Sequence, residues 1–115
     1  MGCAQMEKLP GLLKQKRALA ERYAAAFQGA TGLRFLEEPE GCHSNYWLNT
    51  LVLDEASTEQ RDDLLEATNG HNIMTRPVWT PLHLLPMFAD CPRMPLGVTE
   101  AVANRIVNIP STADL

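Results

Sequence analysis

The sequence of 115 residues is poor in cysteine and has no long apolar run, and both shortages exclude classes of protein. Its three cysteines, Cys3, Cys42 and Cys91, are widely spaced and form no CxxC pair, which argues against a disulfide framework and a zinc knuckle. No apolar run approaches the roughly 20 residues that span a bilayer, and the N-terminus lacks the charged-then-apolar layout of a signal peptide. We therefore expect no contact with membranes and a cytoplasmic location.

Basic charge is also scarce. Lysine and arginine number 10 against 14 acidic residues, which gives a net charge of −4. Nucleic acids select a basic surface, because binding gains from the release of counterions, so we expect no nucleic-acid partner. The chain is long enough for one hydrophobic core of ordinary size and too short for two, which predicts a single domain over residues 1–115.

Signatures of catalysis, metal binding and nucleotide binding are missing as well. Neither GxGxxG nor GxxxxGKS/T occurs, and no two histidines or cysteines have the helical spacing that chelates zinc. Cys42 and His43 are neighbours, so on an extended chain they point to opposite faces and cannot act as nucleophile and base. The three lysines, Lys8, Lys14 and Lys16, all lie in the first predicted helix. None of them has the apolar surroundings that would desolvate its amine and allow it to form a Schiff base. We predict no catalytic residue, no cofactor-binding residue and no metal ligand.

Residues 75–83 instead have the composition of a binding loop. Pro77 and Pro81 stiffen this segment, because proline fixes φ and restricts the residue before it. Arg76 offers a planar donor fork for phosphate or carboxylate, Trp79 a stacking face, and His83 a group that titrates near neutrality. The alternative, which the sequence leaves open, is that the segment closes a strand and Trp79 fills an edge of the core.

The first half of the sequence alternates between helical and extended patterns. Apolar residues recur at steps of three and four over residues 5–27, which predicts an amphipathic helix, with a kink or a start near Leu9 because Pro10 removes a backbone bond. Gly29 and Gly32 mark its end. Residues 33–36 predict a short strand, and residues 46–53 predict a central strand that is buried on both faces.

The second half predicts two more helices and one more strand. Ser57 begins a capping box, so a helix is expected from there to a left-handed C-cap at residues 69–70, followed by a strand over residues 73–76. Helical spacing returns after Pro95 as far as Ile106, with Thr99 as a candidate N-cap. The order α-β-β-α-β-α predicts an α+β fold, in which a small, mostly antiparallel sheet of about three strands is covered by helices.

Five segments in order resemble the DegT/StrS group of nucleotide-sugar aminotransferases, which are fold-type I enzymes that depend on pyridoxal phosphate. The segments are residues 2–9 (GCAQMEKL), 16–23 (KRALAERY), 45–48 (NYWL), 75–79 (TRPVW) and 105–111 (RIVNIPS). The resemblance covers essentially the whole chain and is closest to the branch that makes 4-amino sugars for legionaminic-type nonulosonic acids or related surface glycans. Pro10 departs from the family pattern, since a helix former is usual there.

The resemblance implies that the chain is the C-terminal small domain of such an enzyme, without the large domain that holds pyridoxal phosphate. It also implies a homodimeric parent enzyme that transfers an amino group from glutamate to a nucleotide-linked 4-keto-6-deoxy sugar. The implied substrate-binding residues are Arg76, Trp79 and His83, with Asn45 as a further candidate, and no cofactor is expected on this chain alone. A stand-alone binding or regulatory module that reuses the small-domain fold is the alternative.

Overall fold

A computed structural model of the chain describes residues 2–54 and 58–112. Helix α1 spans Gly2–Phe27, α2 spans Thr58–Gly70 and α3 spans Gly97–Ala103, while two short 3-10 helices occupy Leu82–Leu84 and Pro86–Phe88. The strands are β1 (Leu33–Phe35), β2 (Asn49–Leu53), β3 (Arg76–Pro77) and β4 (Ile106–Ile109). They form one antiparallel sheet in the order β1-β2-β4-β3. The predicted α+β class is confirmed, with one strand more than the sequence suggested.

The core lies between α1 and the centre of the sheet. Ala20 of α1 packs with Phe35, Leu51 and Ile109 from three strands. Tyr23 and Phe27 lie one and two helical turns further along α1 and pack on the edge of this cluster. Strand β2 is a buried inner strand of the sheet, as predicted. The apolar stripe predicted on α1 faces the core only in its later part, at Ala20, Tyr23 and Phe27, whereas Met6 and Leu9 at its start are exposed.

The unpredicted strand is β4. Helical spacing suggested a last helix that reached Ile106, but α3 ends at Ala103 and the chain then becomes extended. Val107 and Ile109 are buried on the core side, while Ile106 and Asn108, which alternate with them, are only partly covered. This alternation, together with three β-branched side chains in four residues, is the signal typical of a strand.

Strands β2 and β3 both begin later than predicted, because hydrogen bonds to nearby residues take the backbone groups that would have extended them. The chain at residues 46–48 is not extended: Tyr46 has a φ of 45°, and its amide donates to Ser44 Oγ at 3.0 Å. Residues 73–75 are held to the end of α2, where Ile73 N donates to Thr68 O at 2.9 Å. Thr75 N likewise donates to Asn69 Oδ1 at 3.3 Å.

Two predicted helix starts need correction, whereas α2 ends at Gly70 as predicted and only its left-handed residue lies elsewhere. Helix α1 begins at Gly2 and includes Pro10 rather than starting near Leu9, because the residues around the proline are exposed and water can satisfy the freed carbonyl. Thr99 lies inside the first turn of α3, since the backbone bond from Glu100 N to Leu96 O places the N-cap at Leu96. The left-handed residue after α2 is Asn72, with a φ of 61°, and Ser57 lies outside the described residues.

Candidate functional site

Helix α1 holds two distant segments through backbone carbonyls. The ammonium group of Lys16 donates to the carbonyl of Trp47 at 3.1 Å and to the carbonyl of Ser111. Tyr23 Oη donates to the carbonyl of Pro110 at 3.0 Å. Partial burial lowers the pKa of Lys16 and raises that of Tyr23. The helix thus fixes the segment before β2 and the segment after β4, which lie at the same end of these two paired strands.

The loop between β1 and β2 is anchored by an ion pair with α1. The guanidinium of Arg17 donates to both carboxylate oxygens of Glu38 and, at 2.7 Å, to the carbonyl of Ser44. Ser44 N also donates to Glu38 Oε2. The hydrogen bond from Arg17 is the main reason that the pKa of Glu38 falls from its ordinary value of 4.5 to about 2, and the bond from Ser44 adds to it.

Tyr46 sits at the end of this loop in a left-handed backbone conformation. Such a conformation is unfavourable for a bulky side chain and is kept only where the surroundings impose it. Here the Tyr46 hydroxyl accepts a bond from Glu38 N at 3.2 Å, its ring lies 6.5 Å from that of Phe35, and the Arg17 guanidinium lies over it at 5.6 Å. These contacts set the direction in which the next residue, Trp47, leaves the loop.

Trp47 and Trp79 meet at the surface of the molecule. Their ring centroids are 5.8 Å apart with planes inclined at 40°, and the two side chains are 63% and 72% exposed. The Trp47 amide donates to Asn45 Oδ1 at 3.0 Å. The structure therefore brings together two of the predicted site residues, Asn45 and Trp79, through Trp47, which the sequence reasoning did not select. The signal that would have found it is its status as one of only two tryptophans.

Trp79 also lines a cavity of about 220 Å³ between the proline-rich loop and α3. Arg61 of α2 and Glu100 of α3 contribute its charged groups, while Pro77, Val78 and Pro81 form apolar parts of its wall. Pockets for ligands of drug size usually enclose about 300 to 1,000 Å³. The cavity is therefore too small to enclose a large ligand on its own.

The other two predicted residues occupy different surroundings. His83 Nε2 lies 2.8 Å from Glu100 Oε1, and the histidine side chain is only 9% exposed. Its ring lines an apolar groove with Leu82, Phe88 and Cys91. Arg76 is exposed on β3, and its guanidinium has no side-chain partner within residues 2–54 and 58–112. The guanidinium is thus available to an anion that approaches the edge of the sheet formed by β3.

No cluster of histidine, cysteine or acidic residues with the spacing of a metal site occurs in the described part of the chain. Within that same part, none of the helices combines the length and the apolar character needed to cross a membrane.

Comparisons with known proteins connect this geometry to a family. The family model of the DegT/DnrJ/EryC1/StrS aminotransferases matches residues 1–115. GDP-perosamine synthase of Vibrio cholerae is 32% identical over 114 residues, which cover 96% of this chain and 30% of that protein. EpsN of Bacillus subtilis, provisionally described as a pyridoxal phosphate-dependent aminotransferase, is 36% identical over 88 residues. These residues cover 76% of this chain and 22% of EpsN.

Solved structures show the same fold. PseC of Helicobacter pylori, an aminotransferase involved in the biosynthesis of pseudoaminic acid, superposes with a TM-score of 0.89 at 18% identity. The superposition covers 99% of this chain and 31% of PseC. Nearly the whole of this chain is matched in both comparisons, but it spans only about 30% of the length of these two relatives. It belongs to the DegT/DnrJ/EryC1/StrS aminotransferase family.

Proposed function

We propose that this chain is the C-terminal small domain of a sugar-nucleotide aminotransferase whose large domain binds pyridoxal phosphate. The observation that carries the proposal is the match of the family model to all 115 residues, although the chain spans only about 30% of its relatives. The small volume of the cavity beside Trp79 supports it, because a nucleotide sugar needs a larger site, to which a second domain can contribute. The parent enzyme is proposed to be a cytoplasmic homodimer.

The proposed reaction is the transfer of an amino group from glutamate to a nucleotide-linked 4-keto-6-deoxy sugar. The name of the Vibrio cholerae relative, GDP-perosamine synthase, supports a nucleotide sugar as the substrate class. In this proposal Arg76 faces the phosphates, while Asn45, Trp79 and His83 border the rest of the substrate. The guanidinium of Arg76 is exposed and has no partner among the described residues, which favours that role, since arginine binds phosphate oxygens in a bidentate manner.

The described residues do not by themselves fit pyridoxal phosphate. When bound, this cofactor withdraws electrons from the substrate carbon and so allows amino transfer, and it needs a lysine that can form a Schiff base. Lys16 already donates to two backbone carbonyls, and Lys8 and Lys14 are exposed on α1. The cofactor is therefore assigned to the large domain, and this chain is proposed to position the substrate.

Sequencing the native DNA upstream of the Met1 codon tests the proposal. An open reading frame that continues in phase and encodes a cofactor-binding lysine and aspartate is the expected result. The encoded protein should then transaminate a nucleotide-linked keto sugar with glutamate, and its Arg76→Ala variant should show a higher KM for that substrate. A stop codon and a ribosome-binding site directly upstream would refute the proposal and favour a stand-alone binding module.

A further inference from the structure

The two tryptophans of this chain form one exposed aromatic surface. Each indole is more than half exposed, and yet the two rings contact each other rather than lying apart on the surface. Large aromatic side chains contribute to stability mainly when they are buried, and scattered exposed residues need no explanation whereas contiguous patches do. A paired exposure of this kind is typical of a surface that binds a ligand.

The backbone that carries the two rings is held in place on both sides of the pair. The amide and the carbonyl of Trp47 are each bonded, to Asn45 Oδ1 and to Lys16 Nζ respectively. Trp79 lies between Pro77 and Pro81, which restrict the backbone on either side. Side chains that are ordered before a ligand arrives lose less conformational entropy on binding. The pair is therefore preorganised.

The geometry of the pair limits how a ligand can contact it. A ring that entered between two others would need about 7 Å between them, or twice the optimal separation of carbon atoms. The centroids are only 5.8 Å apart. A flat ligand would therefore lie on an outward face of the pair.

The polar groups beside the pair favour a planar base over a sugar ring. Recognition of a sugar adds hydrogen bonds from precisely placed polar side chains to contact with an aromatic face. Here Asn45 Oδ1 already accepts a bond from the Trp47 amide, and Lys16 Nζ uses two of its three donors on backbone carbonyls. A nucleobase gains from stacking alone, because every base has an aromatic face.

We propose that Trp47 and Trp79 form the stacking surface for the base of the nucleoside diphosphate. This inference rests on the proposed function and names the part of the substrate that the pair contacts. Because stacking does not depend on the hydrogen-bonding edge of the base, the pair binds purines and pyrimidines alike, and purines more strongly because their faces are larger.

Titration of the 115-residue chain with GDP and with UDP tests the inference. The readout is the pair of indole Nε1–H signals in an NMR spectrum, which report on these two side chains alone because the sequence has two tryptophans. Both nucleotides are expected to shift the signals at millimolar concentration, GDP more than UDP. Ribose 5-phosphate and pyrophosphate lack a base and should leave them in place. Equal shifts with these controls, or none with GDP, would overturn the inference.

Variants locate the binding. Trp47→Leu keeps an apolar side chain but removes one aromatic face, so the affinity for GDP, followed on the signal of Trp79, should fall about ten-fold. Trp47→Phe should retain part of it. Phe88→Leu is the matched control, because Phe88 is a partly exposed aromatic residue outside the pair. The affinity of this variant for GDP should equal that of the parent chain. Unaltered affinity in Trp47→Leu, with a native circular dichroism spectrum, contradicts the assignment.

Two further results separate this inference from its alternatives. Indole signals that move on simple dilution, without nucleotide, would show that a second copy of the chain covers the pair, and would overturn the assignment to a base. Transamination by the full-length protein, combined with indoles that ignore GDP, would overturn the stacking surface while the proposed function stands.

Discussion

At the scale of single residues, the least expected group is the amide of Asn49. This side chain on β2 is fully buried, and neither its oxygen nor its nitrogen has a partner within the described residues. A buried polar group without a hydrogen bond usually costs about 1 to 3 kcal/mol. Its backbone is well used, since Asn49 N donates to Ser111 Oγ at 2.7 Å. The unfavourable part is therefore confined to the side chain.

Replacement of Asn49 by valine is expected to stabilise the chain. The free energy of unfolding should rise by about 1 kcal/mol, the lower end of the range, because the core must adjust to a larger side chain. Urea unfolding at neutral pH measures the change. Thr50→Val is the matched control on the same strand. Thr50 Oγ1 lies 3.0 Å from Asn108 Oδ1, so that variant should be less stable. Destabilisation by Asn49→Val would show that the amide does have partners.

The carboxylate of Glu38 makes stability depend on pH. Its pKa is lowered from 4.5 to about 2 in the folded chain, mainly by the hydrogen bond from Arg17. The contribution of a group with a lowered pKa is complete above its unfolded value and is lost as the pH falls toward its folded value. Stability should therefore decline between pH 4.5 and about 2 as this carboxylate is protonated.

Glu38→Gln isolates this contribution. The variant should be less stable than the parent chain at pH 7 and should lose less stability on acidification, as measured by urea unfolding at a series of pH values. Glu40→Gln is the control, because Glu40 is exposed on the same loop. An acid transition in Glu38→Gln as steep as that of the parent chain would show that other groups determine it.

At the scale of elements, Lys16 joins α1 to two segments that lie far apart in sequence. Lys16→Met keeps most of the apolar stem but removes both bonds to the carbonyls of Trp47 and Ser111. The free energy of unfolding should fall by roughly 1 kcal/mol, since the bonds are charge-assisted but partly exposed.

Hydrogen exchange distinguishes this effect from a general loss of stability. In Lys16→Met the amides of residues 47–50 should exchange faster, while those of α2 keep their rates. Lys14→Met, at an exposed position on the same helix, should change neither. Equal acceleration in both variants would contradict the assigned role of Lys16.

The sequence predicted those elements whose signals are local and repetitive. The later part of the apolar stripe of α1 faces the core, and the apolar run over residues 46–53 contains the buried strand β2, although the strand itself begins only at Asn49. Strand β4 was missed because only two turn residues separate its four residues from a short helix, and burial against β2 and β3 decides its conformation. The left-handed Tyr46 is equally non-local, because it depends on contacts with Phe35 and Arg17.

The candidate site was predicted in part for the same reason. Residue chemistry selected Trp79 and the family resemblance added Asn45, and the structure does bring the two close to each other through Trp47. It could not show that His83 would turn toward Glu100, because that contact joins a short 3-10 helix to a residue of α3 that lies 17 positions away. Arg76, Trp79, His83 and Asn45 stay predictions as substrate-binding residues.

At the scale of the whole molecule, the chain exposes more surface than a compact monomer of its size. Its accessible surface is 8715 Å², whereas a folded monomer of 12.8 kDa has about 6,300 Å². Its radius of gyration is 16.6 Å against about 13 Å for a compact domain of this length. Residues 2–12 of α1 are all exposed and account for part of this excess.

The projecting start of α1 is expected to drive self-association. Met6, Leu9 and Leu12 are 65%, 39% and 41% exposed and lie at three-residue steps, so they form an apolar patch along the helix. Light scattering should give an average mass that rises above 12.8 kDa with concentration. Simultaneous replacement of the three residues by glutamine should return the mass toward that of the monomer.

Met94→Gln is the matched control for this experiment. Met94 is 80% exposed but lies in the loop before α3, so removing it should leave the association unchanged. A mass of 12.8 kDa at every concentration would contradict the prediction. Association that survives the triple replacement would instead place the contact elsewhere, and the loss of self-association in Trp47→Leu would then locate it at the tryptophan pair. The distinction matters because the start of α1 can be covered by a large domain in the proposed enzyme, whereas the pair must stay open to the nucleotide.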